Sequence, residues 1–121
     1  MLGEPFTLAY GSSATLEGGK LAITFVEVLE DSRCPADVLC AWSGQVVVAL
    51  RVAAEGAEQT LELGGVTDSE GVLRPQRPGL ETAPSVEVGP YTVELLAVTP
   101  YPTHSAEPPA AAEYTVTLVV R

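Results

Sequence analysis

The stretch Gln45-Val46-Val47-Val48-Ala49-Leu50-Arg51-Val52-Ala53-Ala54-Glu55-Gly56-Ala57-Glu58-Gln59-Thr60-Leu61-Glu62-Leu63 decides the fold of this chain. Alternation with a period of two puts Val46, Val48, Leu50 and Val52 on one face and Gln45, Val47, Ala49 and Arg51 on the other, which is the pattern of a strand half-buried in a sheet. Ala54-Glu55-Gly56-Ala57 turns the chain. The return run buries Leu61 and Leu63 and leaves Thr60 and Glu62 to water. The spacing predicts an antiparallel hairpin.

The same alternation recurs on both sides. Upstream, Phe6 to Tyr10 places Phe6, Leu8 and Tyr10 together, a short strand is expected at Ala14 to Glu17, and Glu17-Gly18-Gly19-Lys20 reads as a turn. Leu21 to Leu29 is a longer strand in which Leu21, Ile23 and Phe25 share one face but Val26 and Val28 share the other, so a bulge or burial on both faces is expected near Phe25. Downstream, Gly64 to Pro84 lacks pattern and reads as a long loop. Ser85 to Val88, Tyr91 to Thr99 and Glu113 to Val120 are strands, the last with Tyr114, Val116, Leu118 and Val120 inward, and Pro100 to Ala112 is a second loop holding His104. Seven or eight strands without helical periodicity predict one all-β domain over residues 1–121: a two-layer antiparallel β-sandwich, immunoglobulin-like, with a small closed barrel as the alternative.

Composition narrows the partners. The 121 residues are 46% hydrophobic and 18% charged, enough apolar material for one core. Sixteen acidic residues against six basic ones give a net charge of -10, and the arginines are scattered, which excludes nucleic acid and anionic membrane surfaces as partners. No run approaches the ~18 apolar residues of a membrane span.

Between the third strand and the hairpin lies the most distinctive segment, Asp31-Ser32-Arg33-Cys34-Pro35-Ala36-Asp37-Val38-Leu39-Cys40-Ala41-Trp42-Ser43-Gly44. It holds both cysteines and the single tryptophan. A Cys34–Cys40 disulfide would close a small loop and, on the chain-entropy model, stabilise the fold by roughly 2 kcal/mol; two reduced thiols are the alternative. The Cys-x-x-Cys spacing of thiol oxidoreductases is absent, and a zinc site would lack ligands. Trp42, two residues past Cys40, either covers the bridge and joins the core or presents an exposed ring for stacking or anchoring. Asp31, Arg33, Asp37 and Trp42 are the candidate binding surface. Glu30, Asp31 and Asp37 are candidate calcium ligands, although calcium requires six to eight oxygens and Arg33 is equally placed to pair with Asp31 or Asp37. No other cofactor is indicated.

Catalysis is not expected. His104 is the only histidine, no Gly-x-Ser-x-Gly element occurs, and Gly18-Gly19 and Gly64-Gly65 sit at turns of strands instead of between a strand and a helix.

The Asp-Ser-Arg-Cys-Pro…Cys-Ala-Trp-Ser-Gly segment, with Gly-Lys-Leu opening the strand before it and a valine-rich strand after it, resembles a motif of small bacterial envelope proteins, often lipoprotein-like. The likeness covers Leu16 to Leu50. It implies export and pairing of Cys34 with Cys40, and it carries no activity. The absence of asparagine, with little lysine and much alanine, glycine and proline, agrees with GC-rich bacterial coding. The expected function is a non-catalytic exported domain, periplasmic, envelope-bound or secreted, that binds a protein or envelope ligand through this loop, its leader removed ahead of Met1. A calcium- or cation-stabilised sandwich is the alternative.

Overall fold

The computed structural model describes residues 2–35, 39, 44–54, 56–74, 83–102 and 109–121. Among them eight strands form: β1 (Phe6–Ala9), β2 (Ser13–Leu16), β3 (Leu21–Asp31), β4 (Val46–Ala54), β5 (Ala57–Gly65), β6 (Ser85–Val88), β7 (Tyr91–Thr99) and β8 (Thr115–Val120). They make two antiparallel four-stranded sheets, in the orders β1-β8-β7-β6 and β2-β3-β4-β5. The sheets stay open at their edges, so the architecture is the expected β-sandwich and not the closed barrel. Each sheet is largely a meander, with the chain crossing between sheets after β1 and after β5. No helix among the described residues is long and apolar enough to cross a membrane.

The alternation read from the sequence is the alternation that builds the core. Val46, Val48, Leu50 and Val52 are fully buried, and Leu21, Ile23, Phe25, Leu63, Val93, Leu95, Val116, Leu118 and Val120 meet them from both sheets. Each such aliphatic or aromatic side chain contributes about 1.5–3 kcal/mol by leaving water. The Tyr10 ring meets Phe25 edge-on at 5.5 Å between centroids, an arrangement favoured by the aromatic quadrupole. The central hairpin closes between Ala54 and Ala57, with Gly56 at φ +80°.

Three local readings are corrected. Val47 and Ala49, expected to face water, are buried although they lie on the outer face; the pleat sets which face a side chain takes, whereas burial depends on what lies over that face. The strand expected from Glu113 begins at Thr115, because residues Ala111–Glu113 form a 3-10 turn, with the Ala110 N–H donating to the Glu113 carboxylate at 3.1 Å. The unpatterned stretch after Leu63 is partly paired. Gly64 and Gly65 end β5, and residues 66–74 fold back so that Thr67 bridges Leu73 and Val72 bridges Ala97 of β7. Backbone ladders of this kind need no apolar period, which is why the sequence showed none. The Asp68 carboxylate organises the fold-back by accepting the N–H groups of Glu70 at 2.8 Å and Val72 at 3.0 Å.

Two bulges in β3 position the loop that follows. The expected slip near Phe25 is a bulge between Phe25 and Glu27, after which Val28 faces Val48 and packs on the core. A second bulge between Val28 and Glu30 ejects Leu29, which is exposed, and shifts the phase again so that Asp31 pairs with Val46 on the inward side. A carboxylate thus ends the strand facing into the mouth of the sandwich.

Candidate functional site

The site begins where the β3–β4 ladder ends. Beyond the Asp31–Val46 pair, the Ser32 N–H donates to the Gln45 carbonyl at 2.9 Å and the Gln45 N–H donates to Ser32 Oγ at 3.0 Å. The Ser32 hydroxyl in turn lies 2.9 Å from Glu30 Oε2. Gly44 donates its N–H to the Ser32 carbonyl at 3.2 Å. A side chain at 44 would overlap the Ser32 carbonyl and hydroxyl, its Cβ well inside 3.0 Å. Glycine is required there by close approach, and the loop leaves the sandwich through this narrow neck.

Just above the neck, Arg33 turns inward. It is 2% exposed, the most deeply buried charged residue among those described. Its Nε–H donates to Asp31 Oδ1 and an Nη2–H donates to Asp31 Oδ2, both at 2.8 Å, the two-pronged geometry that suits guanidinium to carboxylate. Nη1 donates to the Val98 carbonyl at 2.9 Å and Nη2 also reaches the Pro100 carbonyl at 3.2 Å. The guanidinium carbon sits 5.2 Å from the centre of the Tyr101 ring, within cation–π range. The Tyr101 hydroxyl donates to the Cys34 carbonyl, and the buried Tyr114 hydroxyl donates to Asp31 Oδ2 at 2.7 Å.

The electrostatics follow from this enclosure. One guanidinium and one carboxylate cancel, and no buried side-chain nitrogen or oxygen among the described residues lacks a partner. Burial pushes the Tyr114 hydroxyl far above its ordinary pKa, and its bond to Asp31 adds to the shift, because ionising it would put a second negative charge against the carboxylate. Asp31 belongs to one sheet, while Val98, Pro100 and Tyr114 belong to the other or its connecting loop. The cluster therefore ties the two sheets together at the end of the sandwich that carries the loop.

Of the sequence-derived candidates, Asp31 and Arg33 are brought together, but as an internal pair. Arg33 is not part of an exposed contact surface, because the phase shift at Glu30 aims its partner inward and the guanidinium follows. Asp31 is engaged on both oxygens, so a cation there would have to displace a guanidinium from a site built around it. Glu30 is exposed and faces Ser32. Asp37, Cys40, Trp42 and His104 lie outside the described residues. Among those described, no three His, Cys, Asp or Glu side chains converge as a metal group would need. Leu39 stands fully exposed.

Sequence reasoning missed Tyr101 and the second role of Tyr114. Tyr114 reads as a core position from its alternation, and a buried tyrosine must find a partner for its hydroxyl. That requirement is the one signal that pointed beyond packing. Compared with known protein families, curated proteins and solved structures, the chain matches none.

Proposed function

We propose that this is a non-catalytic exported domain that binds a protein or cell-envelope ligand through the loop between β3 and β4, with Cys34 and Cys40 joined. The observation that carries the reading is the contrast within the loop: its base is fixed by a buried ion pair, while Leu39 is fully in water. A large apolar side chain held out on an anchored loop costs solubility without adding to the core. Burial against a partner would repay that cost, and the anchored base lowers the ordering penalty on binding. No free cysteine occurs among the described residues, which supports the bridge.

The binding arm is tested with envelope proteins and glycans from the native source arrayed against the purified domain and its Leu39→Asp and Trp42→Ala variants. Retention by the wild type and loss of at least tenfold in affinity by the variants is expected; undiminished binding by both variants refutes the loop as the contact. The export arm is tested on protein from its native compartment, where a peptide linking Cys34 to Cys40 is expected without reductant. Two thiols open to alkylation would count against export and the bridge together.

A further inference from the structure

We infer that the base of this loop, Asp31 to Pro35, is held on the sandwich by the Arg33 latch and not by sulfur chemistry, so its placement does not change with the redox state of the cysteines. Apart from the Cys34 sulfur itself, the contacts that seat this segment come from groups no reductant touches. They are the fork to Asp31, the carbonyls of Val98 and Pro100, the Tyr101 ring under the guanidinium and the Tyr101 hydroxyl on the Cys34 carbonyl. On the other side the neck is closed by Ser32, Gln45 and Gly44. The Cys34 main chain is thus gripped on the residue before it by a side chain that is wholly buried, and at its own carbonyl by a tyrosine.

Two consequences follow. Cys34 is seated before any bridge forms, so oxidation closes a loop whose near end is already in place and has less chain entropy left to overcome. A reducing environment would leave the root of the loop, and the tie between the sheets, as they are.

The latch covers its own assay, because Arg33 is a trypsin target hidden by burial. Arg74 and Arg77 each precede proline and resist cleavage, which leaves Lys20 and Arg51 as internal reporters of general unfolding. Cleavage of a protected bond tracks the population of the locally open form. Asp31→Asn removes the carboxylate charge, and Arg33→Lys keeps the trypsin target while losing the fork. Each is expected to raise cleavage between residues 33 and 34 at least about tenfold, beyond any rise at Lys20 and Arg51. The milder Tyr101→Phe, which keeps the ring and removes one hydroxyl bond, is expected to raise it severalfold with cleavage at Arg51 unchanged.

Wild-type protein treated with a phosphine, which opens a disulfide to two thiols as it is oxidised to its oxide with water's oxygen, is expected to cut at Arg33 within about twofold of the untreated rate. Reduction that exposes Arg33 as much as Asp31→Asn does would overturn the inference. So would variants whose cleavage at Arg33 does not exceed that at Lys20 and Arg51. Counting thiols by alkylation before the phosphine is added keeps the two proposals apart: free thiols at that stage defeat the bridge, and the three variants still decide the latch.

Discussion

Replacing Arg33 with methionine tests the energetic core of this structure. The substitution keeps most of the volume of the side-chain stem and removes the guanidinium, leaving Asp31 with a charge but no counter-ion and the Val98 and Pro100 carbonyls without their donors. The side chains of Arg33 and Asp31 are 0% and 10% exposed, so solvent does little to screen the pair. Breaking a buried pair from one side costs about 3–5 kcal/mol, against about 0.2–1 kcal/mol for an exposed pair such as Arg51 with Glu58. A domain of this size has a total stability of about 6–18 kcal/mol. The variant should therefore fold but lose a large share of its margin. In urea unfolding followed by circular dichroism, the midpoint should fall by about 2–3 M with the slope unchanged. Asp31→Leu combined with Arg33→Met removes both charges, and the pair should show a coupling energy of about 2 kcal/mol or more in the double-mutant cycle. A cost below about 1 kcal/mol for Arg33→Met would place the pair with surface ion pairs and refute the latch as a stabilising element.

Gly44→Ala should destabilise by about 1–3 kcal/mol, because a Cβ there meets the Ser32 carbonyl and the neck must spread; a melting temperature equal to that of the wild type would show that the neck is not closed. Tyr114→Phe should cost about 1.5–3 kcal/mol through the lost bond to a carboxylate. The raised Tyr114 pKa means its contribution is complete below the unfolded value near 10 and is lost as pH rises toward the folded one. In an ultraviolet titration the wild type should thus show a tyrosine that ionises only with alkaline unfolding, and the variant should lack that step. Asp68 is held below the usual carboxylate range, chiefly by the Val72 N–H and then the Glu70 N–H. Its stabilisation is present above the unfolded value near 4 and fades as pH falls through the folded one. The gap in melting temperature between wild type and Asp68→Ala should accordingly be open at neutral pH and close on acidification; a gap independent of pH would remove Asp68 as the organiser of the fold-back.

Much of the fold was legible because alternation is a local property. Residues 46, 48, 50 and 52 are apolar at every second position, and a strand has no other way to hide them together. The limits of β6 and β7 at Ser85, Val88, Tyr91 and Thr99 coincide with turn chemistry at Gly89-Pro90. The first bulge was legible as a slip of apolar phase at Phe25. The second was not, because Leu29 is apolar and its exposure leaves no trace in the pattern.

The sequence by itself determined that the chain is all-β, where most strands run, and which side chains fill the space between the sheets, since each of these follows from the two-residue period and from turn residues nearby in the chain. Only the tertiary structure decided that Asp31 and Arg33 are internal. Their partners, Val98, Pro100, Tyr101 and Tyr114, lie more than sixty positions away, and two of them contribute nothing but a carbonyl that every residue possesses. A backbone acceptor has no signature in composition or spacing, so a buried charge that depends on one becomes visible only when the sheets are brought together.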